Sequence, residues 1–304
     1  MKKWIAVLLA AVLVCTTCCA FAEEDSDTIV DRGNEALEAK DYATARDLYT
    51  QAAILGNSRG VNNLGWLYQN GYGVEQSYEK AMWYYEKASE MGQSAATSNL
   101  GWLYYNGEGV GQDFGKAIEY FTLAAEQGNA SAIGQLGYMY CNGEGVETDY
   151  DKAFEYYTRG AELGDRSSAH NLGWMYENGL GRETDYEKAF EYYTRGAEMG
   201  NELSFYSLGV LSYEGLGTEQ SYEKAMEYWT RSAELGYAPA FEAVGELYRD
   251  GLGVEQDYEK AADWFHKAVK MGETSEGQVN YDKLIEEGKI PADYVPKDIT
   301  FESK

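Results

Sequence analysis

Apolar residues fall along this chain on short stripes of helical period, broken at regular intervals by glycine. In the stretch 94–106, Leu100, Leu103 and Tyr104 share one face. In the stretch that follows Asp113, Ala117, Phe121 and Ala124 share another. Between the two stripes lies Gly107-Glu108-Gly109, which breaks the helix because glycine adopts left-handed backbone at little cost. Asp113 suits an N-cap, accepting from amides that lack an intrahelical partner, and Gly128 suits the terminal stop. The pattern therefore predicts two helices, A and B, joined by a glycine loop.

This unit recurs every 36 residues without a gap, in rows beginning at Leu64, Leu100, Leu136, Leu172, Leu208 and Val244. Each row opens on an apolar–glycine pair, so Gly65, Gly101, Gly137, Gly173, Gly209 and Gly245 are equivalent. A Lys-Ala pair follows (Lys116-Ala117 in the second row), then an aromatic pair: Tyr84-Tyr85, Tyr120-Phe121, Tyr156-Tyr157, Tyr192-Tyr193, Tyr228-Trp229 and Trp264-Phe265. The positions equivalent to Asp113 hold Ser77, Asp149, Asp185, Ser221 and Asp257, all capping residues. A single helix pair cannot bury its apolar stripe alone, so the rows must stack on one another.

The run LGWLYYNGEGVGQDFGKAIEYFTLAAEQGNASA and its siblings resemble the Sel-one-like repeat family, a relative of the tetratricopeptide repeat. The resemblance covers residues 64–279 as six repeats. It implies an all-α, right-handed superhelical solenoid of tandem helix pairs, with helix A lining the concave side, used as a scaffold for protein contacts and carrying no catalytic residue. Upstream, residues 28–63 resemble an ordinary tetratricopeptide unit: Ala45, Tyr49, Ala52 and Gly56 keep their places, but the distance from Gly33 to Ala45 is too short for the glycine loop. Downstream, Asn280 stands where another Leu would open a row. Residues 280–304 are expected to form a polar capping helix and then a tail marked by Gly288, Pro291 and Pro296.

Composition refines the expected setting. The chain of 304 residues is 44% hydrophobic, enough for a core, and carries a formal charge of −26, which repels nucleic-acid phosphates and anionic lipid. Lys2, Lys3 and the short apolar run Trp4 to Val14 read as an export signal over residues 1–22, with cleavage after Ala20-Phe21-Ala22. None of Cys15, Cys18 and Cys19 follows the pattern of a lipoprotein cysteine, so a secreted or periplasmic chain without a lipid and without stable membrane insertion is expected. Only Cys141 then remains, which excludes an internal disulfide framework and leaves an inert, partly buried thiol or a bridge between chains.

Candidate chemistry changes little. Ser77-Tyr78-Glu79-Lys80 and Ser221-Tyr222-Glu223-Lys224 match S-x-x-K, yet other rows carry Asp at the serine, which makes it a cap, and the companion S-D-N and K-T-G motifs are absent. The Gly-x-Gly loops join two helices, unlike phosphate-cradling loops that follow a strand. His170 and His266 form no H-x-x-x-H pair, so no metal and no cofactor is expected.

What remains is aromatic. The residue after the apolar–glycine pair is Trp66, Trp102, Tyr138 and Trp174, then Val210 and Glu246. The tetratricopeptide correspondence projects this position toward the concave groove, with Tyr105 and Tyr213 three residues later and His170 and Tyr206 one turn earlier. Tyr and Trp clusters in grooves serve as binding anchors, so Trp66, Trp102, Tyr138, Trp174, Tyr105, His170, Tyr206 and Tyr213 are the candidate partner-binding residues. The expected partner is a protein or peptide, with a basic one suited to the acidic chain. A carbohydrate or cell-wall ligand stacking on the same indoles is the alternative, and packing of the indoles between A helices is the structural one.

Overall fold

A computed structural model describes residues 25–272 and 275–301. The export signal expected over residues 1–22 lies outside them. Fifteen α-helices and no strand occur among the described residues. They are α1 (Ser26–Glu38), α2 (Tyr42–Ile54), α3 (Ser58–Asn70), α4 (Tyr78–Glu90), α5 (Ser94–Asn106), α6 (Phe114–Glu126), α7 (Ala130–Asn142), α8 (Tyr150–Glu162), α9 (Arg166–Asn178), α10 (Tyr186–Glu198), α11 (Glu202–Glu214), α12 (Tyr222–Glu234), α13 (Ala238–Asp250), α14 (Tyr258–Lys270) and α15 (Ser275–Glu286). The chain forms two compact units that meet in sequence at Asn129 and Ala130. The N-terminal unit holds α1–α6 and the C-terminal unit α7–α15.

Within each unit the odd-numbered A helix packs on the B helix that follows it, and each B helix packs on the next A helix. Consecutive A helices also touch, α1 with α3 in one unit and α7 with α9 in the other. The local signals read in the sequence set the helix ends. Asp113 accepts from the Lys116 amide at 3.0 Å, and Ser77, Asp149, Asp185, Ser221 and Asp257 make the same contact to the amide three residues on. Gly107 ends α5 at φ 73°, in the left-handed region. The loop is then closed by the Asp113 amide, which donates to the Tyr104 carbonyl at 2.9 Å.

The glycine of each apolar–glycine pair makes room for a ring. A Cβ on Gly101 would lie 2.7 Å from Phe121 Cε1, and Gly65 meets Tyr85, Gly137 meets Tyr157 and Gly173 meets Tyr193 in the same way. The second ring of the aromatic pair thus lies on the bare backbone of its own A helix, where it is fully or almost fully buried. The first ring does something else: Tyr84, Tyr120, Tyr156 and Tyr192 stack at 5.5–5.6 Å on Tyr68, Tyr104, Tyr140 and Tyr176. The repeated lysine covers the outer face of that second tyrosine, as Lys116 Nζ does at 4.9 Å from the Tyr104 ring. Cys141 is buried and unbridged, and burial pushes its thiol up.

The two ends depart from the rows. Residues 39–41 alone join α1 to α2, with Lys40 at φ 60° in place of a glycine, while Tyr49 still fills the space at Gly33. After α15 the chain turns at Gly288 and runs back along α14. Asp263, only 6% exposed, accepts from the Tyr294 hydroxyl and from the Lys297 amide, both at 2.8 Å. Phe301 then reaches Trp264 and Phe241, with ring centroids 6.1 Å away from each.

Candidate functional site

The predicted aromatic residues are not one uniform surface. In the N-terminal unit Trp66 is half-buried and tilts against Tyr72 at 5.2 Å, and Tyr72 stacks in turn on Tyr42 at 4.7 Å. Trp102 is half-buried too, edge-on to Tyr105 at 5.2 Å and to Phe121 at 5.4 Å. Tyr105 continues the chain of rings to Phe114 at 5.4 Å. These rings serve packing at least as much as they serve a surface.

The C-terminal unit differs. Tyr138 and Trp174 are 40% and 41% exposed. His170 instead lies on the Tyr193 ring at 5.1 Å, with its Nδ1 3.4 Å from Ser204 Oγ. Burial lowers the His170 pKa from 6.5 to about 4, with Glu202 pulling weakly the other way, so the ring is neutral near pH 7.

A cavity opens where the tryptophan stripe stops. It lies between α11 and α13, measures about 380 Å³, and its walls are Tyr206, Val210, Tyr213, Trp229, Ala243 and Leu247. Val210, which lines this space, stands where three other rows place the larger tryptophan. Trp229 forms the floor: it is 7% exposed, sits over Gly209, and donates its Nε1–H to the Tyr206 carbonyl at 3.0 Å. Tyr213 and Tyr206 flank it at ring-centroid distances of 5.6 and 6.2 Å. The rim is charged, with Glu214, Glu246, Arg249 and Asp250. Arg249 forks onto Asp250 through two bonds of 2.7 Å and lies 3.5 Å from Glu246.

Electrostatics follow from that rim. Hydrogen bonds from Arg249 hold the Asp250 carboxyl below its ordinary value. Glu246 goes the other way: partial burial raises it, Arg249 opposes, and Asp250 and Glu276 add to the rise. The hydroxyls of Tyr206 and Tyr213 are pushed up by burial and by nearby tyrosine and carboxylate groups, so both remain protonated donors. A second, smaller cavity of about 170 Å³ shares Tyr206, Ala243 and Glu246 with the first and adds Pro239, Glu242, Glu276 and Asn280 between α13 and α15. Tyr206 and Tyr213 were legible in the sequence as candidates. Val210, Trp229, Glu214, Glu246 and Asp250 were not, although the break from Trp174 to Val210 and Glu246 marked the place. Among the described residues no group of three or more His, Cys, Asp or Glu is arranged to hold a metal ion, and no helix is long and apolar enough to cross a membrane.

Comparison with known proteins places this geometry. The Sel1 repeat matches residues 33–57, 58–93, 94–129, 130–165, 166–201, 206–237 and 242–273, so the first helix pair matches although it lacks the glycine loop. A Sel1 repeat protein from Oxalobacter formigenes is 33% identical at a TM-score of 0.73, covering 79% of this chain and 99% of that one. A protective antigen of uropathogenic Escherichia coli with an SLR fold is 34% identical at a TM-score of 0.69, covering 87% of this chain and 57% of its own. Over 62 residues the chain is 32% identical to HRD3, an ERAD-associated E3 ubiquitin-protein ligase component of Candida glabrata, which is 20% of this chain and 7% of that protein. The match runs through seven tandem helix pairs, and this chain belongs to the Sel1 repeat family.

Proposed function

We propose that this protein is an exported scaffold that binds a segment of another protein on the A-helix face of its C-terminal unit. Sel1 repeat proteins are generally scaffolds for protein contacts, and HRD3 is by its name a component of a larger ligase. The observation that carries the reading to a place on this chain is the cavity between α11 and α13, walled by Tyr206, Tyr213 and Trp229. Aromatic side chains gathered around a concave space, ringed by charge, have the composition of a binding hot spot. Sugar stacking asks for open indole faces, and Trp66 and Trp102 spend theirs partly on Tyr72, Tyr105 and Phe121.

A photoreactive residue placed at Val210 and, separately, at the exposed Trp83 of α4 tests this in the native extracellular or periplasmic fraction. A protein crosslinked from position 210 and not from position 83 is the expected result. Crosslinking from 83 alone, or from neither, would remove the cavity from the reading. Export is checked by intact mass: a mature N-terminus at Glu23 is expected, and a lipid adduct on Cys15, Cys18 or Cys19 would count against it.

A further inference from the structure

Resting on that reading, we infer that the cavity between α11 and α13 receives an arginine side chain from an extended segment of the bound partner. Three rings surround the space and a carboxylate-rich rim closes it, which is the combination that accepts a cation with an apolar stem. Tyr206, Tyr213 and Trp229 supply the π-faces. Glu214, Glu246 and Asp250 supply three negative charges against the single positive charge of Arg249. The adjoining cavity, reached through Tyr206 and Glu246, adds Glu276 and has no basic residue in its lining, so the net charge along both is negative.

An aliphatic guest would leave those carboxylates beside an uncharged group and gain nothing from them. A cation satisfies both walls and rim. Guanidinium fits better than ammonium because it is planar, stacks on aromatic faces and is weakly hydrated, so less is lost when it leaves water. Its fork also matches a carboxylate in two parallel bonds, the contact that Arg249 already makes with Asp250 at this rim. Elsewhere in the same unit a guanidinium does lie on a ring: Arg182 sits 3.5 Å from the Phe154 centroid.

The cavity also explains itself as a departure from the repeat. In three other rows the position of Val210 holds tryptophan, so Val210→Trp fills the space with a residue that the fold already carries at equivalent places.

The test uses the full chain labelled at Val and Leu methyls and followed by NMR. Three capped heptapeptides of glycine and serine are titrated in, with Arg, Lys or Leu at the central position. The Arg peptide is expected to shift the Val210 and Leu247 methyls and to bind at least about fivefold more tightly than the Lys or Leu peptide. Val210→Trp and Glu246→Gln, each with an unchanged folded spectrum, are expected to weaken the Arg peptide by about tenfold or more. Equal binding of the Leu peptide, or Arg binding that leaves the Val210 methyls unmoved or survives Val210→Trp, would overturn the inference. So would no shift with any peptide. Crosslinking from position 210 to a partner would in any of those cases leave the scaffold reading standing, whereas its failure there would remove the cavity from that reading and this inference with it.

Discussion

The indole of Trp229 donates its Nε1–H to the main-chain carbonyl of Tyr206, joining the floor of the α11–α13 cavity to its wall across 3.0 Å. That carbonyl lies on α11 one turn before the glycine that the indole covers. Phe121 and Phe265 cover the equivalent glycines without any such donor. Trp229→Phe should therefore fold and lose about 1 kcal/mol for the hydrogen bond and about 1 kcal/mol more for the ring volume removed from a buried position. It should also enlarge the cavity and loosen Tyr206, so partner affinity should fall by more than the stability loss. Urea unfolding and a binding titration on the same protein check both halves, and a variant that keeps wild-type affinity would detach Trp229 from the site.

Two loop positions that look alike in sequence should behave differently. Gly217 and Gly200 both take positive φ, 66° and 77°. A Cβ on Gly217 would overlap the Tyr186 carbonyl at the start of the preceding B helix, whereas a Cβ on Gly200 would have nothing within 4 Å. Gly200→Ala then carries only the conformational penalty, on the order of 1 kcal/mol. Gly217→Ala forces backbone apart as well and should cost about 3 kcal/mol or more. Denaturant midpoints of the two variants measure the difference; equal shifts would mean that the loop does not rest on Tyr186.

That pair shows where sequence reading reached and where it stopped. Spacing identified the helix pairs and their caps because those signals are local: Asp113 acts within three residues of itself. The resting place of Gly217 is 31 positions away and depends on how one pair sits on the last, which no single row records. The site was half legible for the same reason. Tyr206 and Tyr213 could be read as a stripe on α11, but the cavity is also lined by Val210, where other rows hold tryptophan, and by Trp229 from α12. Trp66 and Trp102 carried the strongest aromatic signal, and neighbouring rings take up part of their surface. His170 shared their face in the sequence, and burial on Tyr193 gives it a structural setting.

His170 should make the protein acid-sensitive. Its folded pKa lies near 4, below the ordinary 6.5, so the unfolded chain binds a proton that the folded chain refuses. Stability from this group is complete above about pH 6.5 and is lost as pH falls through 4, by roughly 3 kcal/mol in all. Asn62 occupies the equivalent place in the first row, which makes His170→Asn the natural comparison. Thermal melts from pH 7 to 4 should fall less steeply for the variant. Identical slopes would assign the acid limb to other groups.

Trp102 and Trp174 hold equivalent places on α5 and α9, and their truncation should separate packing from recognition. Trp102 presses edge-on against Phe121, the ring that covers Gly101, and against Tyr105. Removing its indole strips support from a buried ring, so Trp102→Ala should cost about 2–3 kcal/mol, near the lower end for truncating a large aromatic. Trp174 is 41% exposed, and its carbonyl rather than its ring makes the contact to Asn178 Nδ2 at 2.9 Å. Trp174→Ala should keep that contact and cost about 1–2 kcal/mol, less than Trp102→Ala, since two-fifths of the residue already faces water. Partner affinity should show the reverse order: Trp174 lies in the unit that holds the α11–α13 cavity, and its exposed face is available to a bound segment. Unfolding midpoint and affinity measured for both variants decide between the roles. A large midpoint loss for Trp174→Ala with unchanged affinity of the folded protein would make the whole stripe structural and confine recognition to the cavity beside Val210.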